Sequence, residues 1–156
     1  MKLSQQIALE KLRRYCAYQD RCHKEVRDKL ITLKVYGDDL EEIIIDLIKD
    51  DFLNEERFAR SYARGKFRNN LWGRIKIKHQ LKQRYISDYC IRKAMEEIDP
   101  EVYLNTLSDI IMRQMSKNAD TSTLIAQDKA IKYAVRRGYE SPLIFKIIKG
   151  LEDERR

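Results

Sequence analysis

Apolar residues recur along most of the chain at steps of three and four, the spacing that places side chains on one face of an α-helix. Two such runs are Val26, Leu30, Leu33 and Leu40, Ile43, Ile44, Leu47. Only five glycines and two prolines occur in 156 residues, so few positions would interrupt a helix. The pattern predicts an all-α protein.

Residues with helix-capping side chains predict where the helices begin and end. Predicted starts lie at Asp20, Asp38, Asn54, Ser87, Thr121 or Thr123, and Ser141, which is followed by Pro142. Predicted ends lie near Gln19, Tyr36, Asn69, Tyr85 and Gly138. These boundaries give helices of roughly ten to sixteen residues, a normal length in globular proteins.

The apolar positions also repeat over a longer distance. A shift of 51 residues, then one of 53, carries six apolar positions onto apolar positions twice over. The three sets are Val26, Leu30, Val35, Leu40, Ile44, Leu47; Ile77, Leu81, Ile86, Ile91, Met95, Ile98; and Ala130, Ala134, Tyr139, Ile144, Ile148, Leu151. Chance agreement between amphipathic helices is the alternative explanation, but it would not also align the turns between them.

The helices before the first and second sets are related by the same shift of 51 residues. It carries Ile7, Ala8, Leu12 and Cys16 onto Phe58, Ala59, Ala63 and Phe67. The third such helix, around Tyr103 to Met115, fits loosely. We therefore predict three tandem three-helix repeats of about 50 residues, over 1–53, 54–99 and 100–156. Units of this size cannot each bury a large core, so their stacking predicts an elongated, curved array.

Charge is strongly segregated along this chain of net charge +7. Residues 57–93 contain twelve Lys or Arg and one acid, Asp88, whereas residues 37–56 contain nine acids and only Lys49. A long block of one sign favours a polyanionic partner. The candidate binding residues are Arg57, Arg60, Arg64, Lys66, Arg68, Arg74, Lys76, Lys78, Lys82 and Arg84.

Helical spacing arranges these cations in two stripes. Arg57, Arg60, Arg64 and Arg68 share one face of the helix after Asn54, and Arg74, Lys78 and Lys82 share one face of the next helix, beside Lys76 and Arg84. The alternative is an ordinary solvated face, but such a face normally mixes signs. Ten cations without an acid among them would repel one another, which favours the binding interpretation.

The residues at the centre of the chain resemble a known family. The run Phe52-Leu53-Asn54-Glu55-Glu56-Arg57-Phe58-Ala59, with Tyr62 and Arg64, is similar to the central signature of RecX regulatory proteins. Gly73, Lys76, Ile77, Leu81 and Ile86-Ser87-Asp88 continue that pattern, as do Cys22 to Val26 and Lys29-Leu30 upstream. Arg74 replaces a usual Pro, and Lys34 and Tyr85 stand where Gly commonly closes a helix.

The resemblance implies tandem three-helix repeats and a regulatory role. RecX proteins bind the groove of the RecA recombinase filament on DNA and restrain it, so the implied partners are RecA and single- or double-stranded DNA without sequence preference. It leaves open whether the protein lines the groove, caps filament ends or strips filaments. The acidic residues 38–56 either stabilise the start of a helix through its dipole, contact a basic surface of the filament, or keep the first repeat away from DNA.

Other functions have weaker support. A helix-turn-helix regulator would also be small, helical and basic, but would dimerise on a palindromic site, whereas we expect a monomer. A membrane-surface protein would need an exposed apolar face beside the cations. No long apolar run or secretory leader is present, which predicts a cytoplasmic protein without a membrane partner.

Enzymatic and metal chemistry are not expected either. Cys16, Cys22, His23 and Cys90 lack the spacing of a zinc site, His79 has no paired nucleophile, and no glycine-rich nucleotide loop occurs. An odd number of cysteines without disulfide-dense spacing suits a reducing compartment. We predict neither a cofactor nor a metal. Trp72, beside Gly73, either stacks on a base or partner or packs against a helix start.

Overall fold

The protein is all-helical, as predicted. The structure, a computed structural model, describes residues 1–154, and within them it contains nine α-helices and no strand. The helices are α1 (Leu3–Tyr18), α2 (His23–Thr32), α3 (Gly37–Lys49), α4 (Glu55–Asn70), α5 (Arg74–Gln83), α6 (Asp88–Met95), α7 (Pro100–Lys117), α8 (Thr123–Arg136) and α9 (Ser141–Glu154). None of these helices is both long enough and apolar enough to pass through a bilayer.

The repeat is visible in the backbone as well as in the sequence. Two residues after the end of the second helix in each group of three comes a residue with positive φ, namely Lys34 (62°), Tyr85 (59°) and Gly138 (97°). The next residue then donates its N–H to a carbonyl five residues earlier: Val35 to Leu30, Ile86 to Leu81, and Tyr139 to Ala134. This is the Schellman helix ending, which satisfies carbonyls that the helix leaves unpaired.

The repeating apolar positions form the interior. Fifteen of the eighteen aligned side chains are buried, and Val35, Met95 and Leu151 are half-buried. In the leading helix, Ala8, Leu12 and Cys16 are buried as expected, whereas Ile7 is 51% exposed. The three cysteines are buried free thiols, and burial raises the pKa of the Cys22 thiol to about 11.

The described residues pack as two compact units. Unit 1 comprises residues 1–62 and 81–94, and its main core is built from α1, α2 and α3 around Leu12, Leu30 and Leu47. Unit 2 comprises residues 63–80 and the described chain from Met95 onward. Its core contains a series of rings, with centroid distances of 5.7 Å between Phe67 and Tyr103 and 5.1 Å between Tyr103 and Tyr139. The repeat boundaries at 53 and 99 stay a prediction.

Several predicted helix starts are confirmed. Asn54 caps α4 by accepting the Arg57 N–H at 2.9 Å, and Ser87 caps α6 by accepting the Cys90 N–H at 3.2 Å. The start predicted at Thr121 or Thr123 is displaced by one residue, because the Ser122 hydroxyl accepts the Ile125 N–H. Satisfaction of the first N–H groups decides where each helix begins.

Two predictions around α2 are wrong. Asp20 does not cap this helix, because its carboxylate accepts the Arg57 Nε–H at 2.8 Å; Cys22 is the N-cap and Glu25 accepts the Cys22 N–H. The helix also ends at Thr32 rather than near Tyr36, because Lys34 enters the left-handed conformation.

Candidate functional site

The ten predicted binding residues fall in both compact units. Arg57, Arg60, Lys82 and Arg84 belong to unit 1, and Arg64, Lys66, Arg68, Arg74, Lys76 and Lys78 belong to unit 2. Four of the arginines form ion pairs with acids of the chain, namely Arg57, Arg60, Arg64 and Arg74. Exposed Lys or Arg side chains lie near the end of α4 and along α5.

Arg57 joins three segments of unit 1. Its Nε–H donates to Asp20 at 2.8 Å, one terminal nitrogen donates to the Asp51 carboxylate at 3.0 Å, and the other donates to the Asp51 carbonyl at 2.9 Å. The guanidinium therefore ties the start of α4 to the end of α3 and to the α1–α2 connection. The ion pairs and hydrogen bonds hold the pKa of Arg57 above its ordinary value. A lysine could not reproduce this planar set of donors.

Arg60 and Arg64 are also paired with acids. Arg60 donates to Glu56, one turn earlier on α4, at 3.1 Å. Arg64 donates to Glu97 in unit 2 at 3.0 Å, and its side chain is 40% exposed. These pairs are partly open to water and are therefore worth less than about 1 kcal/mol each. They do reduce the positive potential that the α4 stripe presents.

Arg74 belongs to a largely buried polar network in unit 2. Its guanidinium lies 4.0 Å from the Tyr103 ring centroid and donates to Glu140 at 2.9 Å. The Arg74 backbone N–H donates to the Tyr103 hydroxyl at 3.0 Å, and that hydroxyl donates in turn to Glu140. Burial, reinforced by the Glu140 carboxylate, raises the pKa of Tyr103. Arg74 is therefore placed where it stabilises the fold.

The start of α5 meets the end of α8 through two glycines. The Gly73 N–H donates to the Arg137 carbonyl at 2.7 Å, and the Ile75 N–H donates to the Gly138 carbonyl at 2.9 Å. A Cβ on Gly73 would lie 2.3 Å from the Gly138 oxygen, so only glycine allows this approach. The first N–H groups of α5 are thus satisfied by the carboxyl end of α8, with helix dipoles aligned favourably. We call this the glycine contact.

Two lysines lie close to the side chain of Trp72, the aromatic residue noted in the sequence. Lys66 Nζ lies 4.9 Å and Lys76 Nζ 4.4 Å from the Trp72 ring centroid. Both distances fall within the range of cation–π attraction. In unit 1, the Arg84 guanidinium similarly lies 4.9 Å from the Tyr62 ring centroid.

Three predicted cations remain exposed to solvent: Arg68, Lys78 and Lys82. None of them forms an ion pair with another of residues 1–154. Long cationic side chains in this state are free to reorganise around a partner, because no intrachain bond has to be broken first. We call them the exposed cations.

These positions correct one step of the sequence argument. Residues 57–84 contain no acid, but the fold brings Asp20, Asp51, Glu97 and Glu140 to their arginines. Repulsion among the cations is therefore relieved within the chain, and it does not by itself require an external polyanion. The assignment of all ten residues as binding residues stays a prediction.

Sequence reasoning missed Tyr103, Gly138 and Glu140 as partners of the block. Gly138 carried a usable signal, since the repeat aligns it with Tyr85 and Lys34 at the helix endings. Tyr103 and Glu140 carried none, because they are distant in sequence from Arg74. Among the described residues, no group of three His, Cys, Asp or Glu side chains is clustered to hold a metal ion.

Comparison with known proteins gives consistent matches. The family model for the second three-helix domain of RecX matches residues 54–95. The regulatory protein RecX of Streptococcus uberis is 28% identical over 83% of this chain and 50% of the relative, and that of Listeria innocua is 26% identical over 85% and 49%. The chain thus spans about half the length of the curated relatives it matches.

Solved structures agree over nearly the whole chain. The crystal structure of RecX from Lactobacillus salivarius superimposes with a TM-score of 0.86 at 26% identity, covering 96% of this chain and 97% of that one. A second crystal structure, of a regulatory protein RecX, gives a TM-score of 0.84 at 20% identity over 94% and 73%, which supports the fold alone. With the three-helix repeats and the central signature, these matches make the chain similar to RecX regulatory proteins in sequence and in fold, and residues 54–95 match the second three-helix domain of RecX.

Proposed function

We propose that this protein binds the RecA filament on DNA and restrains the recombinase, and that the exposed cations Arg68, Lys78 and Lys82 make the main polyanion contacts. The similarity to RecX proteins carries the first part of this proposal. The second part is supported by the exposure of these side chains and by the absence of an acid from α5.

The proposed contacts have a definite physical signature. Cations that neutralise DNA phosphates release condensed counterions, so affinity falls steeply with salt and varies little with base sequence. Each duplex phosphate contact contributes about 0.9 to the slope of log K against log salt concentration. Removing three contacts should therefore make the negative slope of log K against log salt concentration shallower by up to about 2.7.

The paired arginines are expected to act less directly. Recruiting Arg57 or Arg64 to a ligand would first require breaking its bonds to Asp20, Asp51 or Glu97. Charge reversal at Arg57 would also place an acid beside two carboxylates and destabilise unit 1. A binding test should therefore use the exposed cations alone.

The test is the DNA-stimulated ATPase of RecA, titrated with this protein at two salt concentrations. The variant Arg68→Glu, Lys78→Glu, Lys82→Glu should lose inhibition. The matched control is Lys117→Glu, Lys146→Glu, Lys149→Glu, which makes the same charge change at exposed positions of α7 and α9 and should inhibit like the wild type.

The outcomes separate the two parts of the proposal. Equal inhibition by both triple variants would refute the role of the exposed cations while leaving the RecA assignment intact. No inhibition by the wild-type protein would refute the RecA assignment. A salt-resistant footprint on one palindromic sequence would instead support the helix-turn-helix alternative.

A further inference from the structure

Trp72 lies in the connection between α4 and α5, outside the buried core of unit 2. Buried neighbours in sequence include Phe67 and Ile77, whereas Trp72 is only half-buried. Large aromatic side chains usually contribute their area to a core or to an interface. A tryptophan left at the edge of the core, in the part of the chain with the most cations, therefore requires another explanation.

The backbone around this ring is held firmly. Leu71 has φ of 56°, and its carbonyl accepts the Tyr139 hydroxyl at 2.9 Å. The Trp72 N–H donates to the Lys66 carbonyl at 3.1 Å, and Gly73 is fixed by the glycine contact. The left-handed Leu71 ends α4, as left-handed residues follow α2 and α5. The indole is therefore attached to a backbone with little freedom.

Two half-buried lysines lie against the partly exposed Trp72 ring. Ammonium groups are strongly hydrated, and they lie over the ring at 4.9 Å for Lys66 and 4.4 Å for Lys76. Both lysines are on flexible stems that can turn toward a phosphate when a flat ligand covers the indole.

We propose that Trp72 is a stacking platform for an unpaired base of single-stranded nucleic acid, with Lys66 and Lys76 binding the adjacent phosphates. Aromatic rings beside cations are the usual way in which proteins bind single strands without sequence preference. In a duplex the bases already stack on each other, so this site favours the single strand. The proposal deepens the proposed function and rests on it for its setting, a filament formed on DNA.

Trp72 is the one tryptophan of the chain and therefore reports directly on its own occupancy. The first experiment titrates the full chain with an oligothymidylate and follows tryptophan emission. An oligonucleotide of equal length with abasic sites throughout presents the phosphates without bases. We expect quenching by the first and little change with the second. Equal quenching by both, or none by the oligothymidylate at saturation, would overturn the proposal.

The second experiment measures affinity for fluorescein-labelled oligothymidylate by anisotropy. Trp72→Ala should weaken binding about tenfold, which corresponds to 1.4 kcal/mol and lies within the usual 1–3 kcal/mol for one stacked base. Trp72→Phe should retain most of the affinity, because phenylalanine also offers a flat face. Tyr18→Ala, at an aromatic position that is 84% exposed, is the matched control.

Far-UV circular dichroism of each variant checks that it is folded. If Trp72→Ala does not fold, Trp72→Phe and the wild-type quenching still decide the question. Unchanged affinity in folded Trp72→Ala would overturn the stacking platform. Failure here with normal RecA inhibition would leave the proposed function standing, whereas base-dependent quenching without any effect on RecA would overturn that function alone.

Discussion

The glycine contact makes a sharp prediction about stability. Replacing Gly73 by Ala introduces a Cβ only 2.3 Å from the Gly138 oxygen, 2.4 Å from its carbonyl carbon and 2.6 Å from the Tyr139 nitrogen. All three are backbone atoms, which cannot turn aside as the end of a flexible side chain can. The start of α5 and the end of α8 must therefore separate within unit 2.

The size of the effect follows from what separation removes. Two backbone hydrogen bonds, from Gly73 to Arg137 and from Ile75 to Gly138, contribute a net 0.5–1.5 kcal/mol each. The ring pair of Tyr103 and Tyr139 would also loosen, at about 0.5–1.5 kcal/mol. We expect Gly73→Ala to lower the free energy of unfolding by about 2–4 kcal/mol.

Alanine substitutions at three other glycines distinguish the cost of a steric clash from the cost of backbone strain. Gly138→Ala meets Lys76 backbone at 2.6 Å and also has φ of 97°, so it should cost about 1–2 kcal/mol more than Gly73→Ala. Gly37→Ala has φ of 58° with open space around the Cβ and should show the strain alone. Gly150→Ala, in open space on α9, should stabilise by roughly 0.8–1 kcal/mol.

The assay is urea unfolding, followed by far-UV circular dichroism for the whole chain and by Trp72 emission for unit 2. The expected order of stability is Gly150→Ala, wild type, Gly37→Ala, Gly73→Ala, Gly138→Ala. A Gly73→Ala variant less than about 1 kcal/mol below the wild type would refute the close backbone approach.

Three further predictions concern other features of the fold. Arg57→Ala should lower the free energy of unfolding by about 1–2 kcal/mol by urea denaturation, because hydrogen bonds to two carboxylates and to backbone are lost, whereas Arg68→Ala should change it by less than about 0.5 kcal/mol. Lys34→Gly should raise the melting temperature, since glycine relieves about 0.5–1 kcal/mol of left-handed strain, and Lys11→Gly, inside α1, should lower it by a similar energy. Burial raises the pKa of Tyr139 above the ordinary value near 10, so its stabilising contribution is complete below pH 10 and is lost as pH rises toward the folded-state pKa. Between pH 10 and 11 the free energy of unfolding should then fall by about 1 kcal/mol less in Tyr139→Phe than in the wild type; an equal fall would contradict the assignment.

The repeats and the interior were predictable from sequence because both depend on local periodicity. A helix repeats its face every 3.6 residues, so apolar spacing alone places Leu30, Leu81 and Ala134 inside. The starts of α4 and α6 were also predictable, because a capping side chain acts within its own helix turn. The end of α2 was misplaced because a lysine side chain gives no indication of positive φ, although the family resemblance places Lys34 where glycine commonly closes a helix.

The electrostatic state of the candidate site was not predictable in the same way. The partners of Arg57, Arg64 and Arg74 lie 37, 33 and 66 residues away along the chain. Only the folded backbone decides which acids meet which cations, and apolar periodicity carries no information about that. Sequence therefore located the basic block but could not separate its exposed cations from its engaged ones.

The boundaries of the compact units do not coincide with those of the repeated domain, and this affects how the chain folds. The segment 54–95 that matches a family domain is shared between the units, since 54–62 and 81–94 belong to unit 1 while 63–80 and Met95 belong to unit 2. Excised alone, it would leave the first N–H groups of α5 without the Arg137 and Gly138 carbonyls. We therefore expect the excised segment to be less stable than the same residues in the whole chain. During synthesis, these two hydrogen bonds of α5 can form only after the ribosome has released residues more than sixty positions later.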